Sequence, residues 1–543
     1  MNNGKKIRSG ILFFFFLIVY LFILGNIFYI QIIQRPFFSE LGKQQYHGTV
    51  TTHPPRAPIY DCHGKPVAIN ADCLSAFILP KQLEEPEKLK IFLNKHLPHI
   101  TERWNDHQKK HFLYIKRRIS PAEMALFKNS NVQDIKFIKE PCRFYPAETM
   151  GTLIGITDID NNGLFGIEKI FNEKLKGKPT VHSLERDARS GHFYFNKKTT
   201  MQGKDGTPVY LTIDSDLQYL AYEELKDILE RFEAKEGGIV IIDPITGAVL
   251  TSLSYPDFNP NETKSIDLTY TKNFPLTQGY EVGSVIKVFS AMSALEEGAV
   301  TCDEMVDCEG KLSAYIDGMK VNTVSAQGII PFSEVIEKTN NIGTAKVVRR
   351  VGKKLFDHYK KLGFAKKTAL DFPGEHAGFI TPPDKWSKRS IISLSFGYEI
   401  RVTMMQLAQA FALIVNNGCL KPLHIIKGKE LPLSEPLYSQ KTIEEIRQIL
   451  TNTVQRGTAH RANIKGYHIM GKTGTANLIE NGKYNPQKNI FTFCGIIEKD
   501  DYKRVIITYI KESQLKRLLY SAMVAVPLFE RVAEKMLIHD KII

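Results

Sequence analysis

Ser284-Val285-Ile286-Lys287 is the stretch on which the reading of this chain turns. A serine three residues before a lysine on a helix puts both side chains on one face, one turn apart, so the amine can take the hydroxyl proton. Burial and neighbouring positive charge disfavour the ammonium form, which makes Lys287 a base near neutral pH. Gly283 precedes the pair, and a residue without Cβ lets another backbone approach closely. The free N–H groups and positive dipole end at the start of a helix favour a developing oxyanion. In isolation the pattern carries little, because S-x-x-K occurs in many helices as an exposed serine beside a solvated lysine.

Two later segments change that. Thr339-Asn340-Asn341 alone reads as a helix cap or turn. Gly471-Lys472-Thr473-Gly474-Thr475-Ala476 sets small residues beside a lysine, as on a strand edge kept clear for a ligand backbone. The three segments, in this order and widely spaced, fit one machine for serine acyl transfer, the triple of penicillin-binding proteins and serine β-lactamases.

Beyond the triple, the chain resembles the class B penicillin-binding proteins, membrane-anchored D,D-transpeptidases that cross-link peptidoglycan. Arg56-Ala57-Pro58-Ile59-Tyr60-Asp61-Cys62-His63-Gly64 resembles the family's R-G-x-I-x-D-R-x-G element. Arg143-Phe144-Tyr145-Pro146, Gly163 to Glu168 and Glu185-Arg186-Asp187-Ala188 follow the order of its pedestal signatures. Leu211 to Asp214 with Leu217-Gln218 resembles the start of the penicillin-binding domain, and Ser395-Phe396-Gly397-Tyr398, Val402-Thr403 and Gln406-Leu407-Ala408 match a further segment. Tyr280 to Ser284 and Ser395 to Tyr398 look more like the septal, division-type enzymes than the elongation-type ones.

The resemblance implies roles residue by residue. Ser284 attacks the carbonyl of a D-Ala-D-Ala stem peptide and Lys287 takes its proton. The Thr339 hydroxyl relays the proton to the leaving amine, and the Asn341 amide holds Lys287 and substrate. Lys472 adds positive charge, and Thr473, Gly474 and Thr475 bind substrate, the threonines at its terminal carboxylate. The backbone N–H groups of Ser284 and Thr475 form the oxyanion hole, worth about 3 to 4 kcal/mol per donor. It also implies β-lactam binding, a partner glycosyltransferase and division proteins. The sequence departs from the family at Thr339 (commonly serine), Val282 (proline), Ala57 (glycine) and Glu399 (a small residue). Alternatives are an elongation-type enzyme, a D,D-carboxypeptidase or β-lactamase-like hydrolase that admits water to the acyl-enzyme, and a silent division scaffold, which has no need of Ser284, Lys287 and Lys472.

The 543 residues are too many for one compact domain, and 43% hydrophobic composition supplies a sizeable core. Gly10 to Ile33 is apolar apart from Asn26, a run of about 24 residues that crosses a bilayer of about 30 Å. It exceeds a signal-peptide h-region and no A-x-A-like site follows it. Lys5, Lys6 and Arg8 before it place the N-terminus in the cytoplasm and the bulk outside, at the inner membrane. With that topology the net charge of +14 and the basic run from Lys109-Lys110 to Arg117-Arg118 face membrane or wall polymer, and no nucleic acid is expected.

The seven cysteines show no C-x-x-C pair and the histidines no H-E-x-x-H set, so no metal or other cofactor is expected. Cys302 and Cys308 are close enough in sequence to close a small loop in an oxidising compartment, with free thiols the other reading. The expected architecture is a multidomain α+β chain: tail 1–9, transmembrane anchor 10–33, elongated pedestal 34–205, and a penicillin-binding domain 206–543 with an antiparallel sheet flanked by helices. Within it, helices are predicted over Leu217 to Phe232, Val285 to Glu297, Gln406 to Asn416 and Tyr520 to Leu537, and strands over Gly238 to Asp243, Ala248 to Ser254, Phe491 to Ile497 and Arg504 to Tyr509.

Overall fold

The computed structural model describes residues 3–106, 112–186, 193–262, 266–429, 431–480, 482–515 and 519–542. Asp187-Ala188 of the pedestal signature and Lys109-Lys110 of the basic run lie outside the described residues. The chain forms two compact units, Met1–Arg56 with Lys176–Gly206, and Ala57–Leu175 with Thr207–Ile543.

In the first unit, helix α1 (Asn3–Phe28) runs into a π turn at Tyr29–Ile33. Its 28 residues from Lys6 to Ile33 carry apolar side chains on every face and none is buried by protein. At 1.5 Å per residue they reach about 40 Å, more than a bilayer core requires. The unit also holds a three-stranded antiparallel sheet, with Thr180–Arg186 between His47–Thr52 and Phe193–Met201.

The second unit begins with a hairpin. Ile59–Tyr60 turns through His63 and Gly64 into the strand Pro66–Ile78 and also runs parallel to Val209–Tyr210. Pro66–Ile78 pairs antiparallel with Lys136–Phe144 and Leu113–Lys116. On that ladder Cys73 stands opposite Glu140 and Cys142 opposite Ala71, a diagonal that brings the two sulfurs into a disulfide. Of the two readings open for Cys302 and Cys308, the structure has the free thiols. Strand register instead joins cysteines 69 residues apart. Arg143 and Glu168 form a buried ion pair at 2.6 Å, with side chains 1% and 0% exposed.

The larger part of this unit is built on five antiparallel strands: β1 (Ala234–Ile242), β2 (Val249–Tyr255), β3 (His468–Glu480), β4 (Lys483–Lys499) and β5 (Tyr502–Ser513), in the spatial order β2-β1-β5-β4-β3. Apolar residues run without interruption along β1 because both faces are covered. Ile239 and Ile241 pack into one core with Leu225, Phe529 and Val532; Val240 and Ile242 pack into another with Phe289, Met405 and Phe411. The first layer is helices α2 (Ser215–Arg231) and α7 (Ser521–His539). The second includes α3 (Lys287–Glu296), α4 (Asn341–Val348), α5 (Met404–Val415) and α6 (Gln440–Gln455). Caps set the helix starts: Asp214 accepts the N–H groups of Asp216 and Leu217, and Thr403 with Gln406 forms a capping box. This is the expected sheet flanked by helices, with β3 left at an edge.

Candidate active site

Ser284 does not start the α-helix as predicted. A 3₁₀ turn, Gly283–Ile286, comes first and α3 begins at Lys287. In a 3₁₀ turn residues i and i+3 eclipse, which keeps Ser284 and Lys287 on one face. Gly283 explains the tight start: its φ is +56°, and a Cβ there would stand 2.5 Å from the carbonyl oxygen of Thr475. From the other side, a Cβ on Gly474 would stand 2.4 Å from the Val282 carbonyl oxygen. Two glycines therefore let the serine turn and the edge strand β3 meet backbone to backbone.

Behind Ser284, which is partly exposed, lie two fully buried amines. Lys287 Nζ donates to the Thr339 carbonyl at 2.8 Å, and Lys472 Nζ donates to Thr339 Oγ1 at 2.6 Å. Burial, then the nearby Lys472, pushes the Lys287 amine well below the usual lysine range. Burial likewise lowers Lys472, to about 7. Cross-strand from Lys472 stands Cys494, a buried thiol that burial keeps protonated. One residue, Thr339, thus ties the two lysines together, and it does so at φ +60°, a conformation costing a β-branched residue about 1–2 kcal/mol. Just before it, buried Glu337 accepts from Asn452 Nδ2 at 2.7 Å and from Arg456 Nε at 3.2 Å, pinning the segment to α6.

Asn341 is placed otherwise than the expected contact with Lys287. Its Nδ2 donates to the Asn322 carbonyl at 2.6 Å, and its buried Oδ1 has no hydrogen-bond partner among the described residues. The reason is local: Asn340 caps α4 by accepting the Gly343 N–H, and Asn341, as the first helical residue, turns toward the strand Met319–Asn322. The pleat of β3 separates the remaining residues. Lys472 and Gly474 face α3, while Thr473 and Thr475 face the α7 side. Thr473 Oγ1 lies 3.1 Å from Thr458 Oγ1, and Thr475 Oγ1 lies 2.9 Å from Ser521 Oγ. Ser521 also donates to the Gly474 carbonyl. Neither Thr458 nor Ser521 was legible: one follows α6 and the other begins α7, and nothing local marks a hydroxyl that meets a strand from a distant segment.

Beside the serine turn, Glu281 Oε1 accepts from the Glu399 N–H at 3.2 Å and from Tyr484 Oη at 3.3 Å, and Tyr398 packs edge-on to Tyr484 at 4.9 Å. Glu399 has φ +60°. Burial raises the Glu281 carboxyl above its ordinary range.

The chain is similar to known proteins. The penicillin binding protein transpeptidase domain matches residues 237–534, and the penicillin-binding protein dimerisation domain matches 51–211. The chain is 30% identical over 533 residues to the probable peptidoglycan D,D-transpeptidase PbpC of Pseudomonas aeruginosa, covering 95% of this chain and 94% of that one. It is 27% identical over 521 residues to the peptidoglycan D,D-transpeptidase FtsI of Escherichia coli K12, covering 94% and 87%. The crystal structure of penicillin binding protein 3 from Mycobacterium tuberculosis in complex with aztreonam superposes with a TM-score of 0.69 at 23% identity, over 91% of this chain and 97% of that one. The resemblance drawn from the motifs is borne out: the chain belongs to the penicillin-binding protein transpeptidase family and carries that family's dimerisation and transpeptidase domains.

Proposed function

We propose that the protein is a peptidoglycan D,D-transpeptidase of the FtsI type acting through an acyl-enzyme on Ser284, in septal wall synthesis. The observation that carries this reading is the buried pair Lys287 and Lys472 joined through Thr339 behind Ser284. Lys287, held neutral by burial, takes the Ser284 proton as Oγ attacks the donor carbonyl. The N–H groups of Ser284 and Thr475 meet the oxyanion. Collapse breaks the amide C–N bond; the proton passes through the Thr339 hydroxyl, next to Lys472, to the departing D-alanine amine. An acceptor-stem amine then attacks the ester, gives its proton back through the same groups, and releases Ser284 Oγ.

The edge position of β3 supports substrate binding as an added strand. Thr475 reaches a substrate carboxylate only by giving up its bond to Ser521, whose own O–H goes to the Gly474 carbonyl, whereas the Thr473 hydroxyl can accept from Thr458 and still donate. A membrane anchor is supported by α1, and an external catalytic domain by Lys5, Lys6 and Arg8 before it and by the Cys73–Cys142 disulfide. In that setting the partners are a glycosyltransferase and division proteins, and β-lactams acylate Ser284.

Conditional depletion in the source cell tests the septal assignment. Filaments without septa are expected, whereas swelling or rounding with normal septa assigns the enzyme to elongation.

A further inference from the structure

The turn Cys62-His63 meets the two ends of the α2/α7 layer at a cluster the acyl-transfer site does not use. The Asp214 carboxylate, 7% exposed, spends Oδ1 on capping α2. Its Oδ2 faces two imidazoles, His63 Nε2 at 3.0 Å and His539 Nε2 at 3.6 Å. Among the described residues these histidines are its ion-pair partners. Cys62 Sγ lies with the ligand atoms of His63 and Asp214 in a triad whose members are all within 4.8 Å of one another.

We infer that Cys62 Sγ, His63 Nε2 and Asp214 Oδ2 form a site for a divalent transition metal of the zinc class, with a fourth position for water and with His539 Nε2 holding the Asp214 carboxylate from the outer side. Tetrahedral coordination with bonds of about 2.0 to 2.3 Å sets ligand atoms about 3.3 to 3.8 Å apart, so the His63–Asp214 distance of 3.0 Å opens slightly. The donor set, one thiolate, one imidazole and one carboxylate, selects zinc over magnesium or calcium.

The surroundings are built as a metal shell is. His539 Nδ1 lies 3.0 Å from Asp540 Oδ1, which directs Nε2 toward the cluster; Asp540 is itself fixed by Tyr502 Oη at 2.7 Å. Backbone bonds position the three ligands: Cys62 N donates to the Ile213 carbonyl at 2.9 Å, His63 N to Asp61 Oδ1 at 2.9 Å, and Asp214 N to the Leu250 carbonyl at 2.9 Å. His63, 65% exposed, leaves a path for the ion from solvent. Asp216 is engaged by Lys65 and stays outside the set. Such an ion ties the Ile59–Ile78 hairpin to the start of α2 and, through the His539–Asp214 contact, braces the end of α7, the helix whose first residue, Ser521, bonds to Thr475.

The test uses the full-length chain in detergent, without a histidine tag, stripped with chelator and titrated with Co²⁺. One equivalent should produce tetrahedral d–d bands and a thiolate-to-cobalt charge-transfer band, both displaced by Zn²⁺. Cys62→Ser should abolish the charge-transfer band, His63→Gln should weaken binding about 100-fold, and Cys419→Ser should change neither. Zn²⁺ should raise the unfolding temperature of the wild type and not of Cys62→Ser, with circular dichroism establishing that each variant is folded. Absence of the bands, persistence of the charge-transfer band in Cys62→Ser, or equal affinity in His63→Gln would overturn the site and leave a hydrogen-bonded Asp214-histidine cluster.

Discussion

Replacing Thr339 by valine removes one hydroxyl and little else, because valine matches threonine in shape and shares its χ1 stiffness. The backbone strain at φ +60° is common to both residues and cancels. What changes is the bonding of Lys472 Nζ, which loses its shorter bond, at 2.6 Å, inside a fully buried pocket and keeps a 3.4 Å bond to the Thr473 carbonyl. Loss of a buried hydrogen bond to an amine costs about 1–3 kcal/mol, and removal of a positioned proton carrier costs about 10²- to 10⁴-fold in rate. Thr339→Val should therefore acylate with penicillin at least 100-fold more slowly while unfolding about 1–3 kcal/mol more easily. Thr339→Ser keeps the hydroxyl and should stay within about tenfold, or 1.4 kcal/mol. Stopped-flow acylation and chemical unfolding of the three proteins give both quantities. Equal acylation by valine and threonine, with penicillin and with a stem-peptide thioester, would make Thr339 a packing residue and refute the relay.

Other consequences follow from burial and close contact. Because Lys472 titrates near 7 when folded and near 10.4 when unfolded, the unfolded chain binds one more proton between those values. Wild type should gain stability over Lys472→Met by up to about 1.4 kcal/mol per pH unit as pH rises through that window, and lose it as pH falls toward 7; a flat difference in unfolding free energy would show that the amine is not desolvated. Gly283→Ala puts a Cβ 2.5 Å from the Thr475 carbonyl at φ +56°, so acylation should fall more than about tenfold as β3 is pushed from the serine turn. A labelling rate unchanged from wild type would mean the contact is not needed. Glu168→Ala leaves Arg143 buried without its carboxylate and should cost about 3–5 kcal/mol in chemical unfolding; a loss under 1 kcal/mol would mean that Arg143 reaches solvent.

The parts of the site legible in the sequence were those fixed by local chemistry. Ser284 and Lys287 are one turn apart on any helix, and the small residues of 471–476 announce a cleared strand. What sequence could not supply was register and long-range packing. Nothing near Lys472 says that β3 is an edge strand, since β5, later in the chain, inserts between β1 and β4. The positive φ of Thr339 sits two residues after Glu337, whose anchors on and beside α6 lie more than a hundred residues away in the chain. The disulfide escaped for the same reason: antiparallel register unites Cys73 and Cys142 and leaves the nearer pair, Cys302 and Cys308, reduced. Helix ends moved by one or two residues, with caps deciding the starts at Asp214 and Thr403.

The account stands on Ser284 as the carrier of the acyl group. Peptide mapping by mass spectrometry after reaction of the full-length chain with penicillin, and separately with a D-Ala-D-Ala stem-peptide thioester, measures this directly. Both adducts should sit on Ser284, and Ser284→Ala, folded by circular dichroism, should carry neither. An adduct on another residue, or one that persists in Ser284→Ala, would contradict it.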